Sequence, residues 1–552
     1  LGANDYGNIT NGNKATSWSF RKAKGWFDIQ EYNGNNGNVF NLSHDLECKP
    51  CFIIIKQLNT AENWIVWIKG LGSGKNLRLN LHNDQSSDSG TDIGHTVTSS
   101  YIRIPNGSAV NGNSSNSKYI CYLWGDGAES EGQIFGESGD KSLILTGTYS
   151  SNQNEQTINL GWEPSWILIK KTNGNRSWFL FDTMRGIVSG DKDEALYPNS
   201  NSARNDEGNL DHIDVTPTGF IIKSSSYNNQ INDSGGEYVY VAIRAATGSV
   251  TRPPSLGTDV FGLGMSNASS TTPCHVTNFI TDFAFVKTPA STNSWYTGAR
   301  LMGLHHLLTD TTAAEANNTD YTWDSNTGFA KVNGTNWQHW AWKRHAGFDL
   351  CAYHLTEGGG THTQNHSLGK VPEMIIMKDR DNTDGWIVYH KGLNGGTNPK
   401  DYFIQLQGNG TESNFSNLWG TSASDINATS FYINQNYRYT GNHIALLFAS
   451  VDGISKVGYY TGNGVKTGNV QTLGFQPRFI LIKCADTAST PWMVFDTLLG
   501  INSGNDNFLQ LNSDTSTSAG DYIDLTSDGF DVVEDHNQVN GNNKKYLFYA
   551  HA

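Results

Sequence analysis

The residues that could do chemistry in this chain are few and scattered, so each cluster has to be weighed against what its chemistry requires. The pair Cys48-Lys49-Pro50-Cys51 has metal-ligand spacing. A structural zinc site wants four ligands, usually two such pairs, and no second pair exists. Cys51 also opens an apolar run, so the pair reads as buried or strand-edge thiols, with a local disulfide or a metal as lesser alternatives. His305-His306 lies beside Leu307-Leu308 and lacks metal-ligand spacing. Asp191-Lys192-Asp193-Glu194 could lend carboxylates to calcium, yet only part of an oxygen cage is present, and a solvated acidic loop is the expectation.

Asp182 and Asp496 each follow a Phe in matching contexts. A catalytic acid would need a partner carboxylate held at a fixed distance, and none can be named. Both therefore read as turn or cap residues that bond the local backbone. There is no GxSxG elbow, HExxH helix or phosphate-binding loop. Gly358-Gly359-Gly360 and Thr461-Gly462-Asn463-Gly464 read as hairpin connections. Sequons such as Asn41-Leu42-Ser43, Asn113-Ser114-Ser115 and Asn427-Ala428-Thr429 carry no weight in a chain so rich in Asn, Ser and Thr. The expectation is a protein that is not an enzyme, with no catalytic or metal residues and no cofactor. No residue set announces a ligand.

One pattern does stand out. A strand-like apolar run ends in Lys, and a Trp follows eight or nine residues later. Pro50 to Lys56 precedes Trp64, Pro164 to Lys170 precedes Trp178, and Phe283 to Lys287 precedes Trp295. Pro372 to Lys378 precedes Trp386, and Pro477 to Lys483 precedes Trp492. The lysines are 114, 117, 91 and 105 residues apart, each about one domain. The Trp could be sugar-stacking platforms. Recurrence in every unit favours core or inter-domain packing, with the Lys stem lying across the indole.

A slower period lies on top. Trp64 to Leu71 resembles Trp386 to Leu393, and Phe181 to Ile187 resembles Phe495 to Ile501. Trp18 to Gly25 parallels Trp340 to Gly347. The third unit thus has a counterpart ahead of the first, of which the opening residues are the tail. The expected layout is 1–22 as that tail, then sandwiches at 23–126, 127–246, 247–343, 344–452 (like the first) and 453–552 (like the second). A chain opening at Leu1, with no initiator Met and no leader, fits a piece of something longer.

These elements must position the pattern. Five-residue apolar runs rich in Ile, Phe and Val are too short for helices and read as buried strands, with Pro at the strand start. Each unit closes on an aromatic strand, such as Tyr119 to Trp124 or Lys545 to Ala550. Thr218-Gly219-Phe220, with its echoes at Thr327 and Asp528, suggests a turn feeding a strand. The fold class is all-β, a tandem array of about five jelly-roll or lectin-like β-sandwiches in a repeated three-domain module. A propeller, with blades of about 40 to 45 residues, does not fit. The net charge of −14 argues against a nucleic-acid face, and six Cys in 552 residues are too few for a disulfide scaffold. No apolar run approaches a membrane span.

Gly25-Trp26-Phe27-Asp28-Ile29, Tyr238 to Arg244 and Trp386 to Leu393 together resemble an uncharacterised tandem β-domain repeat family. It is encoded largely by marine tailed phages, in structural or fibre-like proteins. The resemblance covers essentially the whole chain. Unit three departs from it, with Thr281-Asp282 where the others carry a Pro. The resemblance implies a virion appendage such as a tail fibre, spike or head fibre. Its partners would be other virion proteins, further copies of itself (a trimer being one option) and a host-surface glycan, with no nucleic acid and no membrane insertion. The competing readings are a secreted or cell-surface bacterial adhesin or filament subunit, and a carbohydrate-binding or carbohydrate-active protein.

Overall fold

A computed structural model describes residues 16–552 apart from 36, 88, 113–115, 202–209, 225–229, 248–249, 268–272, 318–320, 332–334, 345–346, 356–359 and 435–439. Residues 1–15 of the expected tail lie outside the described residues, as do Asn113-Ser114-Ser115, His345-Ala346 and Gly358-Gly359. The protein is all-β, with its strands in ten separate antiparallel sheets. Among the described residues the one α-helix is a single turn, Ser108–Asn111.

Unit four shows the plan. Its large sheet runs Phe348–Leu355, Gly441–Phe448, Met374–Asp379, Ile387–His390, Tyr402–Gln405, Ser413–Asn414 in spatial order. A small sheet pairs Thr361–Asn365 with Ser430–Asn434. The closing strand of the unit lies inside the large sheet, bonded to the first strand and to the Lys-bearing strand. The other units repeat this pairing, with Lys118–Gly125, Glu237–Arg244, Gln338–Trp342 and Lys545–His551 as their inner strands.

This plan explains the continuous apolar runs. Successive residues of a strand face opposite sides of the sheet. Ile375 and Met377 pack with Phe431, Ile433 and Leu368 between the two sheets of unit four. Met374 and Ile376 point the other way, into a cluster shared with units three and five. In unit five, Ile480 and Ile482 face inward while Phe479 and Leu481 join the shared cluster. A sheet covered on both faces needs apolar residues at every position. Pro50 and Pro164 are first residues of their strands, each beside a break in register, where a missing N–H is tolerated.

Two turn assignments change. Gly462 to Gly464 joins Ser455–Thr461 to Asn469–Thr472, which belong to different sheets, and Gly360 joins Phe348–Leu355 to Thr361–Asn365 likewise. In both cases the flanking strands belong to different sheets, so neither connection is a hairpin. Gly462 is required there because a Cβ would sit 2.2 Å from the Gly541 carbonyl. Thr218-Gly219 does turn a hairpin, Ile213–Thr216 with Gly219–Ile222. Gly328–Phe329 instead pairs with His275–Val276.

Candidate functional site

The repeated Trp sits at or just before the strand that follows the Lys-bearing one, so the hairpin geometry fixes where its indole projects. It projects out of its own unit. Trp178 Nε1 donates to the Arg78 carbonyl of unit one at 2.9 Å. Trp386 donates to Leu308 of unit three at 2.9 Å, Trp492 to Gln405 of unit four at 3.0 Å, and Trp295 to Gln510 of unit five at 2.8 Å. The accepting carbonyl always occupies one position. It belongs to the residue paired across from the one after the receiving unit's own Trp: Arg78 faces Ile65, Leu308 faces Tyr296, Gln405 faces Ile387 and Gln510 faces Met493. Unit four docks on three, five on four, and three on five. The second module is a closed ring of three.

The lysines complete the docks. Lys170, Lys287, Lys378 and Lys483 are each fully buried. Lys170 donates to Arg176 O in its own unit at 2.8 Å and to His82 O of unit one at 3.2 Å. Lys483 donates to Thr490 O at 2.8 Å and to Gly410 O of unit four at 3.0 Å. Lys287 donates to its own Asn293 O and to Asp514 O of unit five, the latter at 3.0 Å. These three ammonium groups tie their own Trp loops to the neighbour through main-chain carbonyls, and Lys378 donates to Asp379 O and to Asn382 O of its own unit, the latter at 2.9 Å. Burial pushes Lys170, Lys287 and Lys483 down to about 8, because the low-dielectric junction disfavours the charged form.

Asp182 and Asp496 do cap turns, and they do more. Asp496 Oδ1 accepts from Leu498 N and Leu499 N, while Oδ2 accepts from Trp340 Nε1 and Gln338 Nε2 of unit three, both at 2.9 Å. Asp182 Oδ1 accepts from Arg185 N, and Oδ2 from Arg185 Nε and from Trp18 Nε1 at 3.2 Å. Burial raises Asp496 to about 6 against the pull of these bonds. The two Asp are the same joint in two modules.

One charge pair and one guanidinium–carbonyl bond, neither signalled by the repeat, fasten one module to the other. Arg344 holds Glu163 of unit two at 2.5 and 2.8 Å and Asp349 of unit four at 2.6 Å. Arg380 of unit four grips Glu315 of unit three at 2.8 Å and the Ser189 carbonyl of unit two at 2.9 Å. Burial raises Glu163 although Arg344 opposes it.

The remaining clusters have structural surroundings. Cys48 and Cys51 are buried free thiols, and Cys51 Sγ donates to the Gly125 carbonyl at 3.2 Å. Asp193 is buried and accepts from Val188 N, His212 N and Ile213 N. His305 Nδ1 lies 3.5 Å from Asp191 Oδ2, and His306 stays in the adjoining strand position of His305–Leu308. Among the described residues no group of three or more His, Cys, Asp or Glu could hold a metal, and no helix is long and apolar enough to cross a membrane. One cavity of about 330 Å³ is lined by Trp18, Trp166, Asp182, Arg300 and Arg344 among others. Another of about 420 Å³ is lined by Arg185, Asp191, Lys192, Glu194 and Trp323. Asp182 with Arg185, and Arg344 with Glu163, are already engaged with each other on these walls.

A family model described as Domain of unknown function (DUF7483) matches residues 2–246 and 269–552. The two matches follow the two modules. No curated protein matches. A solved structure described as "Crystal Structure of the STIV MCP" aligns at 11% identity and a TM-score of 0.16, over 40% of this chain and 95% of that one.

Proposed function

This chain belongs to the DUF7483 family, and from that premise we propose that it is a non-enzymatic structural protein of a bacteriophage particle. Its place there is an outward appendage: a tail fibre, spike or head fibre. The observation that carries this reading is the use made of the repeated residues. Trp178, Trp295, Trp386 and Trp492 are all buried in unit-to-unit docks. The motif that defines the repeat therefore serves rigidity and not substrate contact. An array of sandwiches locked by buried indoles keeps its inter-unit angles, as a spacer holding loops away from a particle must. The loops that project from the sandwich ends are the surface left for a host glycan, and copies of the chain assemble alongside other virion proteins.

The test is the composition of purified particles. Peptides of this chain should be recovered from density-purified virions, and antibody raised against it should label an appendage by electron microscopy. Infectious particles free of the polypeptide would overturn the assignment.

A further inference from the structure

In the second module the outward sheet face of unit four is fully covered. Trp386, Leu350, Leu393, Leu406 and Leu446 are each 0% exposed, and unit three supplies part of the cover through the Leu308 carbonyl. The same positions in unit one are Trp64, Ile29, Leu71, Leu79 and Tyr122, and all five are only partly buried. Trp64 Nε1 reaches no carbonyl of another unit among the described residues, whereas its twin Trp386 donates to Leu308 O. An open apolar recess of about 310 Å³ lies there, lined by Phe20, Phe27, Ile29, Ile54, Trp64, Tyr122 and Trp124.

Unit two is open on its matching side. In the ring, Phe261 of unit three stacks near Phe479 and His551 of unit five, with ring centroids 5.6 and 4.6 Å away. Their counterparts by strand register in unit two, Trp166 and Ile243, are partly exposed. Leu511 of unit five is 1% exposed under the Thr309 hydroxyl of unit three, whereas its counterpart Pro198 is exposed.

What covers these two faces is indicated by the segment already lying between them, Trp18 to Phe20. Trp18 meets Asp182 as Trp340 meets Asp496. Phe20 packs 5.4 Å from Phe27 and 5.5 Å from Trp124, as Trp342 packs 6.0 Å from Phe348 and 6.3 Å from Phe448. We infer that units one and two form a socket for one further sandwich of the unit-three type, whose closing strand is the segment holding Trp18 and Phe20. The incoming unit would offer Trp64 the carbonyl that Leu308 offers Trp386, and would lay an aromatic on Trp166. The socket is shaped for a third ring member, since every open position has a filled twin in the same chain.

The test extends the protein. Residues 250–339 are placed directly ahead of Trp18 in place of residues 1–17, and side chains are footprinted by oxidation in both chains. Modification of Trp64, Phe20 and Tyr122 should fall at least tenfold in the extended chain, and Trp64→Arg in that chain should restore labelling of the other two. Unchanged labelling of Trp64, with the grafted Trp295 counterpart protected, would overturn the inference. So would concentration-dependent self-association of the parent that Trp64→Arg abolishes, because the face would then belong to a second copy. The same footprint on the polypeptide isolated from its native source gives an independent reading. Protection of Trp64 there is expected, and labelling as fast as in the 552-residue chain would contradict the socket.

Discussion

The two modules are built from equivalent units, and they differ in whether the last dock is made. In the second, three Trp–carbonyl contacts run from unit to unit and return to the start. In the first, among the described residues, one such contact joins unit two to unit one, and Trp64 and Trp166 stay partly exposed. The difference teaches that a repeated motif can be structural without being uniformly buried. Trp386 and Trp64 stand at the same place in the same fold, yet one is sealed and the other partly exposed, because burial comes from the neighbour and not from the residue's own unit.

The largest expected effect breaks this comparison at its indoles. Trp386→Ala or Trp492→Ala leaves a cavity in a packed junction and should cost about 3–5 kcal/mol. Trp64→Ala in the same chain should cost well under half of that. Chemical denaturation of each variant checks the contrast, and equal losses would erase it.

Next come the ions. Arg344→Met strands Glu163 and Asp349, and leaving a buried charge uncompensated costs roughly 3–5 kcal/mol. In the first module Lys22 meets Asp28 at 2.6 Å with its side chain 51% exposed. Lys22→Met should cost about 1 kcal/mol or less. Thermal unfolding of the two variants side by side measures the gap.

The pH dependence sharpens the account of the docks. Lys287 and Lys483 fall from the ordinary 10.5 to about 8, so the folded state releases its protons before the unfolded state does. Their charged forms weaken the fold below about pH 8, and that penalty is relieved as pH rises from 8 toward 10.5. The parent should therefore gain stability relative to a Lys287→Met/Lys483→Met double variant across that window, by roughly 3 kcal/mol per lysine. A difference that is flat or falls with pH would place the ammonium groups in wetter surroundings.

The smallest effect concerns the shared joint. Asp496→Asn keeps an oxygen for one donor set but not for both the turn and the indole, and should cost about 1–2 kcal/mol. The same change at Asp182, where Trp18 is partly exposed, should cost less by denaturant midpoint.

Much of the architecture was legible because it repeats. Runs such as Met374-Ile375-Ile376-Met377 read as strands buried on both faces, and they are, since one face meets the small sheet and the other a neighbouring unit. The Lys–Trp pairs read as packing residues. Their destination was hidden for a physical reason: the acceptors are main-chain carbonyls of Arg78, Leu308, Gln405 and Gln510, and four unrelated side chains leave no mark at the receiving end. Arg344 and Glu163, 181 positions apart, occur in one junction and so carry no periodic signal. Gly462 looked like a hairpin turn because glycine marks any tight passage, whichever sheet the chain enters next.

The central claim is that units three, four and five close on one another and hold as one body. Hydrogen exchange followed by mass spectrometry tests it directly. The inner strands Gln338–Trp342, Gly441–Phe448 and Lys545–His551 should open together with one shared free energy, and Trp295→Ala alone should lower protection in all three. Three separate opening energies, with Trp295→Ala felt in unit three only, would contradict the closed ring.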